Sequence, residues 1–131
     1  HFESVFEGGT VAGNQTAADA SKTGDTISDF VGKLQSNDVD VVDTLSFSNS
    51  AFGNFGVGVL SSDNFVTINS AYDGTNSGKS SGSKAFIFDS EKTLYFDSAT
   101  DTSGQNSNAG YQVMATFDVS ISHTDINIVN A

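Results

Sequence analysis

Residues 84–97 read Lys84-Ala85-Phe86-Ile87-Phe88-Asp89-Ser90-Glu91-Lys92-Thr93-Leu94-Tyr95-Phe96-Asp97. Phe86 and Phe88, then Leu94 and Phe96, recur at every second position, the spacing of a strand that buries one face. Ser90, Glu91 and Lys92 form a short polar connection between the two runs. The stretch therefore predicts a β-hairpin. Each strand ends on an Asp, Asp89 and Asp97, and paired strand-end carboxylates point to calcium before they point to catalysis.

Outward from the hairpin the same punctuation repeats. Phe2 to Phe6 alternates, as do Asp25 to Val31, Val39 to Ser48, Asn64 to Asn69, Tyr111 to Ile121 and Asp125 to Val129. In the longest run, Tyr111, Val113, Ala115, Phe117 and Val119 share one register. Gly8–Gly24, Ser70–Ser83 and Ser98–Gly110 are Gly-, Ser- and Asn-rich and read as loops, the second with high expected mobility. Asn49 to Leu60 is broken by glycines, with Phe52, Phe55, Val57 and Val59 as apolar anchors. Thr16 to Lys22 has room for one helical turn, but no segment carries a sustained 3.6-residue period. About eight short strands between turn-rich segments predict a single all-β domain over 1–131, an antiparallel β-sandwich or a β-roll-capping domain. The expected core includes Phe47, Phe65, Phe86, Phe88, Phe96 and Phe117.

Composition narrows the function. The chain has 131 residues, a net charge of −11, sixteen acids against five Lys, and neither Arg, Cys, Pro nor Trp. A basic face for nucleic acid or anionic lipid is missing, and so are disulfides and thiolate metal sites. No apolar run is long enough for a membrane-spanning helix. Thirteen of the acids are Asp, the residue of turns and compact oxygen cages rather than of solvated helices.

Calcium takes six to eight oxygen ligands. Two groups of Asp are candidates for supplying them: Asp25 and Asp29 with Asp38, Asp40 and Asp43, and Asp89 and Asp97 with Asp101. Neither forms an EF-hand loop. The bland alternative makes them turn and capping residues on a solvated acidic surface. Catalysis has little to rest on. His1 and His123 are the only histidines, no Gly-x-Ser-x-Gly elbow occurs, and Asp89 with Asp97 is the one carboxylate pair worth testing for glycoside chemistry. Tyr72, Tyr95 and Tyr111 are candidates for a sugar platform, although Tyr95 and Tyr111 fall in strand patterns that favour packing.

Five segments together resemble the C-terminal module of repeats-in-toxin (RTX) proteins, which Gram-negative bacteria export by type I secretion. They are Gly24-Asp25-Thr26-Ile27-Ser28-Asp29-Phe30, Asp40 to Phe47, Leu60 to Val66, the hairpin Phe86 to Asp97, and Thr124 to Val129. The resemblance covers nearly the whole chain. Two departures stand beside it: the Gly-Gly-x-Gly-x-Asp repeat breaks off at Gly8-Gly9-Thr10-Val11, and the loop after Asp97 is longer and less acidic than the family's compact turn. What the resemblance implies is a non-enzymatic, calcium-responsive extracellular or cell-surface module that serves secretion and caps a fold, with calcium ions and the secretion machinery as partners. A self-assembling subunit of an S-layer, adhesin or filament, binding copies of itself, is the first alternative. A carbohydrate-binding module facing cell-surface glycans is the second. Exposed aromatics in one row would favour sugar, and unpaired edge strands with apolar flanks would favour assembly.

Overall fold

The computed structural model describes residues 9–11, 25–35, 42–100 and 111–130. Nine strands fall within them: β1 (Gly9–Val11), β2 (Asp25–Ile27), β3 (Leu45–Ser48), β4 (Gly58–Val59), β5 (Phe65–Thr67), β6 (Ala85–Phe88), β7 (Thr93–Asp97), β8 (Tyr111–Phe117) and β9 (Ile126–Val129). Two single 3-10 turns, Ser62–Asn64 and His123–Asp125, lead into β5 and β9. The fold is all-β. Among the described residues no helix is long and apolar enough to cross a membrane. The expected Phe2–Phe6 strand and the turn at Thr16–Lys22 lie outside the described residues. The first expected loop contains β1, and the glycine-rich segment before Leu60 contains β4.

The strands form two mixed sheets rather than purely antiparallel ones. The larger runs β1-β8-β7-β6-β5, with β2 also pairing β8; the smaller runs β3-β9-β4. Parallel pairs join β2 to β8, β3 to β9 and β5 to β6. A parallel pair cannot be closed by a tight turn, so the chain must travel back along the sheet. Residues 68–84 make that return between β5 and β6, which explains the long polar segment the sequence places there.

The hairpin forms as its pattern predicts, with Phe86 paired to Phe96 and Phe88 to Leu94. Lys92 takes a left-handed φ of 57°, and the Lys92 N–H donates to the Asp89 carbonyl at 3.1 Å. A three-residue loop ending in a left-handed residue is a favoured hairpin connection. Both strands are buried along their whole length, on both faces, so they are not the half-buried strands that alternation suggested.

One face of the larger sheet meets the smaller sheet across a phenylalanine-rich core. Phe47 of β3 lies 4.7 Å from Phe86 of β6, ring centre to ring centre, and Phe52 lies 5.1 Å from Phe96. Leu45, Leu60, Phe88, Leu94, Met114, Ile126 and Ile128 are among the residues packed with them. The expected core residues are buried except Phe65, which is half-buried; Val57 and Val59, expected as anchors, are exposed. The opposite face is a second cluster of Tyr72, Ala85, Ile87, Tyr95, Tyr111 and Val113.

A bulge in β8 divides its residues between the two faces. Leu94 pairs with Ala115 but Tyr95 pairs with Val113, so Met114 is an extra residue. An inserted residue shifts the alternation by one. Tyr111 and Val113 therefore join the tyrosine cluster, while Met114, Ala115 and Phe117 join the phenylalanine core. Plain alternation would have put Tyr111, Val113, Ala115 and Phe117 on one side.

Candidate functional site: a seam of tyrosines and carboxylates

The second face of the larger sheet carries the densest set of buried polar groups in the described chain. Thr93, Tyr95 and Asp97 project there because they alternate with Leu94 and Phe96 along β7. Asp89 follows Ile87 on the same side of β6. Tyr72, from the returning segment, closes over them. Its ring centre lies 4.7 Å from that of Tyr111 and 5.4 Å from that of Tyr95. All three tyrosines are fully buried. They cannot offer a sugar platform, and among the described residues the large apolar side chains that are exposed, Val31, Leu34, Val57 and Val59, include no aromatic.

Tyr72 bridges the two hairpin carboxylates. Its backbone N–H donates to Asp89 Oδ2 at 3.1 Å and its hydroxyl donates to Asp97 Oδ2 at 2.7 Å. Asp89 Oδ1 accepts from the N–H groups of Glu91 at 3.0 Å and Thr93 at 3.2 Å, which fastens the hairpin turn. Asp97 Oδ1 accepts from Ala99 N–H at 3.0 Å. The Tyr111 hydroxyl donates to the Tyr72 carbonyl at 3.2 Å. Burying a carboxylate costs free energy unless such donors replace water, and here backbone amides and a phenol do so.

The seam's chemistry follows from burial. Desolvation, and then the Asp97 carboxylate, push the Tyr72 hydroxyl well above the ordinary tyrosine range. Desolvation and the nearby Asp89 carboxylate do the same for Tyr95. Asp89 acts on Tyr95 through its charge, because the buried Tyr95 hydroxyl makes no hydrogen bond of ordinary geometry. Both phenols stay protonated and neutral, so Tyr72 remains a donor to Asp97. This is a locking arrangement rather than an acid–base pair.

The hairpin also sets how far apart its acids stand. Asp97 pairs with Ala85, whereas Asp89 lies four residues further along the same strand, beyond Phe88. Antiparallel strands put their C-terminal ends at opposite ends of the ladder. At about 3.4 Å per residue the two positions are roughly 13 Å apart. Asp89 and Asp97 thus leave the backbone at opposite ends of one seam, with Tyr72 bonded to both. Asp101 lies outside the described residues.

The other acidic group is assembled differently. Asp29 is exposed. Asp43, also exposed, accepts from Val31 N–H through Oδ2 at 2.9 Å, and its own N–H donates to the Val31 carbonyl at 2.7 Å. Asp43 is therefore held against the segment that carries Asp29. Asp25 is the first residue of β2; its side chain, and all of Asp38 and Asp40, lie outside the described residues. Among the described residues no three His, Asp or Glu side chains converge, and the Asp25–Asp43 group runs into chain that is not among them.

Asp125 is a buried acid that the strand reading passed over. Its Oδ1 accepts from Lys33 N–H and its Oδ2 from Ser122 N–H, each at 2.9 Å. Gly32 packs so closely that a Cβ there would lie 2.7 Å from Asp125 Oδ1. The signal was present: Ser122-His123-Thr124-Asp125 is a capping-box spacing. Tyr72 carried no comparable signal, since it stands alone in a polar segment. His123 is half-buried, with Nδ1–H donating to the Leu60 carbonyl at 2.7 Å. Comparison with known proteins gives no matching family model, no matching curated protein and no matching solved structure.

Proposed function

We propose that the chain is a non-catalytic, extracellular, calcium-responsive β module of the kind that ends type I-secreted RTX proteins. The observation that carries this reading is the division of labour among its acids. Asp89, Asp97 and Asp125 are buried and satisfied by neutral donors within the fold, whereas Asp29 and Asp43 stay exposed on neighbouring backbone. Of the two candidate groups, the described acids left open to a cation are Asp29 and Asp43, in the segment where the resemblance to the family is closest.

The physical logic begins with repulsion. At −11, the chain's acids oppose its compact state. Folding draws the segments that carry Asp29 and Asp43 together through the Asp43–Val31 contacts and raises that cost locally. Bound calcium would supply the positive charge that offsets it, and ligand that binds only the folded state stabilises it by mass action. Such a chain would stay loosely folded where calcium is scarce and become compact outside the cell.

Thermal unfolding with calcium, with magnesium and with chelator tests the reading. Calcium should raise the melting temperature, and magnesium, which needs a smaller octahedral site and sheds water reluctantly, should not replace it. Identical curves in calcium and chelator would sink it.

A further inference from the structure

The smaller sheet is built without charge. No Asp, Glu, Lys or Arg occurs between Asp43 and Asp63, which spans β3 and β4, nor after Asp125, which spans β9. In a chain of net charge −11 this is an unusual concentration of neutral surface. Strand edges are ordinarily guarded by charge, by proline or by cover. At β4 none of these is present among the described residues.

The two edges of that sheet differ. Leu45, Phe47 and Ser48 of β3 are buried, so that strand is largely covered. Val57, just before β4, is 60% exposed, and Val59 within it 58%. Nothing lies within 4 Å of where a Cβ would stand at Gly56 or Gly58, so the approach is open. The segment is also held in place. Lys84 donates to the Gly53 carbonyl, with its ammonium 4.5 Å from the Phe55 ring centre, and Lys79 donates to the Asp63 carbonyl. Leu60 is tied through its N–H to the Ile126 carbonyl at 2.9 Å and through its own carbonyl to His123.

We propose that β4 is a homotypic docking edge, at which a second copy of this chain adds its own β4 in antiparallel pairing to join the two smaller sheets into one. The occupant follows from charge. Two copies at −11 repel wherever acids face each other, and the uncharged sheet is where they can approach with no like charges opposed. Pairing about a two-fold axis centred on Gly58 sets Val57 of each copy opposite Val59 of the other. Such an interface is closed, and the covered β3 edges keep it from growing into a filament. The inference does not depend on calcium, and its test is run in chelator.

Sedimentation or light scattering over a range of chain concentrations should show a monomer–dimer equilibrium. Raising salt should favour the dimer, because screening shortens the reach of the repulsion; an interface made of ion pairs would weaken instead. Val59→Lys and Val57→Lys should each shift the chain to monomer and match the parent's melting temperature at low chain concentration, where both are monomeric, and Leu34→Lys, on exposed surface elsewhere, should leave the dimer intact. In this cysteine-free chain, the double variant Val57→Cys/Val59→Cys should form a covalent dimer on mild oxidation. A chain monomeric at every concentration and salt would overturn the proposal and leave the edge to some other strand. So would a dimer that survives both lysine variants.

Discussion

The two faces of the larger sheet are buried equally and held differently. On one side Phe86, Phe88, Leu94 and Phe96 meet Phe47, Phe52, Ile126 and Ile128, and the stabilisation is apolar area removed from water. On the other, Tyr95, Asp89 and Asp97 lie under Tyr72, and each carboxylate depends on particular donors. The first kind of packing tolerates changes of shape that keep volume. The second fails when one atom is missing, because a buried polar group then loses its partner.

The largest expected effect lies on the phenylalanine side. Phe86 touches Phe47, Phe52, Phe55 and Phe96, so Phe86→Ala should cost about 3–5 kcal/mol in denaturant unfolding. Phe86→Leu should recover most of that loss. If the leucine variant were as unstable as the alanine variant, this face would be as exacting as the other and the contrast would fail.

On the tyrosine side a single oxygen should matter. Tyr72→Phe removes the donor to Asp97 and almost no volume, and should cost about 1–3 kcal/mol. Asp97→Asn in the same background should lessen that loss by removing the charge left without its donor. An unchanged melting temperature for Tyr72→Phe would mean that Asp97 finds another donor at no cost.

Gly32→Ala sharpens the comparison from a third place. The new methyl would press on Asp125 Oδ1 and on the Phe30 ring, both 2.7 Å away. Overpacking of this kind costs about 1–3 kcal/mol. The loss should appear in the melting temperature, and Asp125→Asn should not relieve it, since the clash is steric.

Alkaline pH should separate the faces as well. The Tyr72 and Tyr95 hydroxyls are raised above their ordinary value of 10.0 in the folded chain. Above pH 10 the unfolded chain releases these protons while the folded chain keeps them, so the folded state holds more protons and stability falls as pH rises. Their contribution is fully present below pH 10 and is lost above it. Tyrosinate absorbance should therefore appear together with unfolding. Tyrosinate that formed on a still-folded chain would show the seam to be open.

The hairpin was legible in the sequence because its two runs share one period and its turn residues are polar. The core phenylalanines followed from the same pattern. What alternation could not reveal was a second buried face, since Ala85, Ile87 and Tyr95 read equally well as the outer side of a half-covered strand. The bulge at Met114 was hidden for a related reason: an inserted residue shows only against its partner strand, and both registers of Tyr111–Phe117 contain apolar side chains. At the candidate site, the sequence singled out Asp89 and Asp97 but not what lies between them. Asp89 and Asp97 each end a strand, yet antiparallel pairing sends those ends apart, and the residue that joins them, Tyr72, sits in a segment expected to be a mobile loop.

The most direct measurement compares melting temperatures of the parent chain, Asp29→Ala and Asp89→Ala, each in calcium and in chelator. Asp89→Ala should lower the melting temperature equally in both, because it unfastens the hairpin turn. Asp29→Ala should leave the chelated form equal or slightly more stable and should shrink the gain from calcium. A calcium gain lost at Asp89 and kept at Asp29 would contradict the division between structural and exposed acids, and no gain in the parent chain would remove calcium from the account altogether.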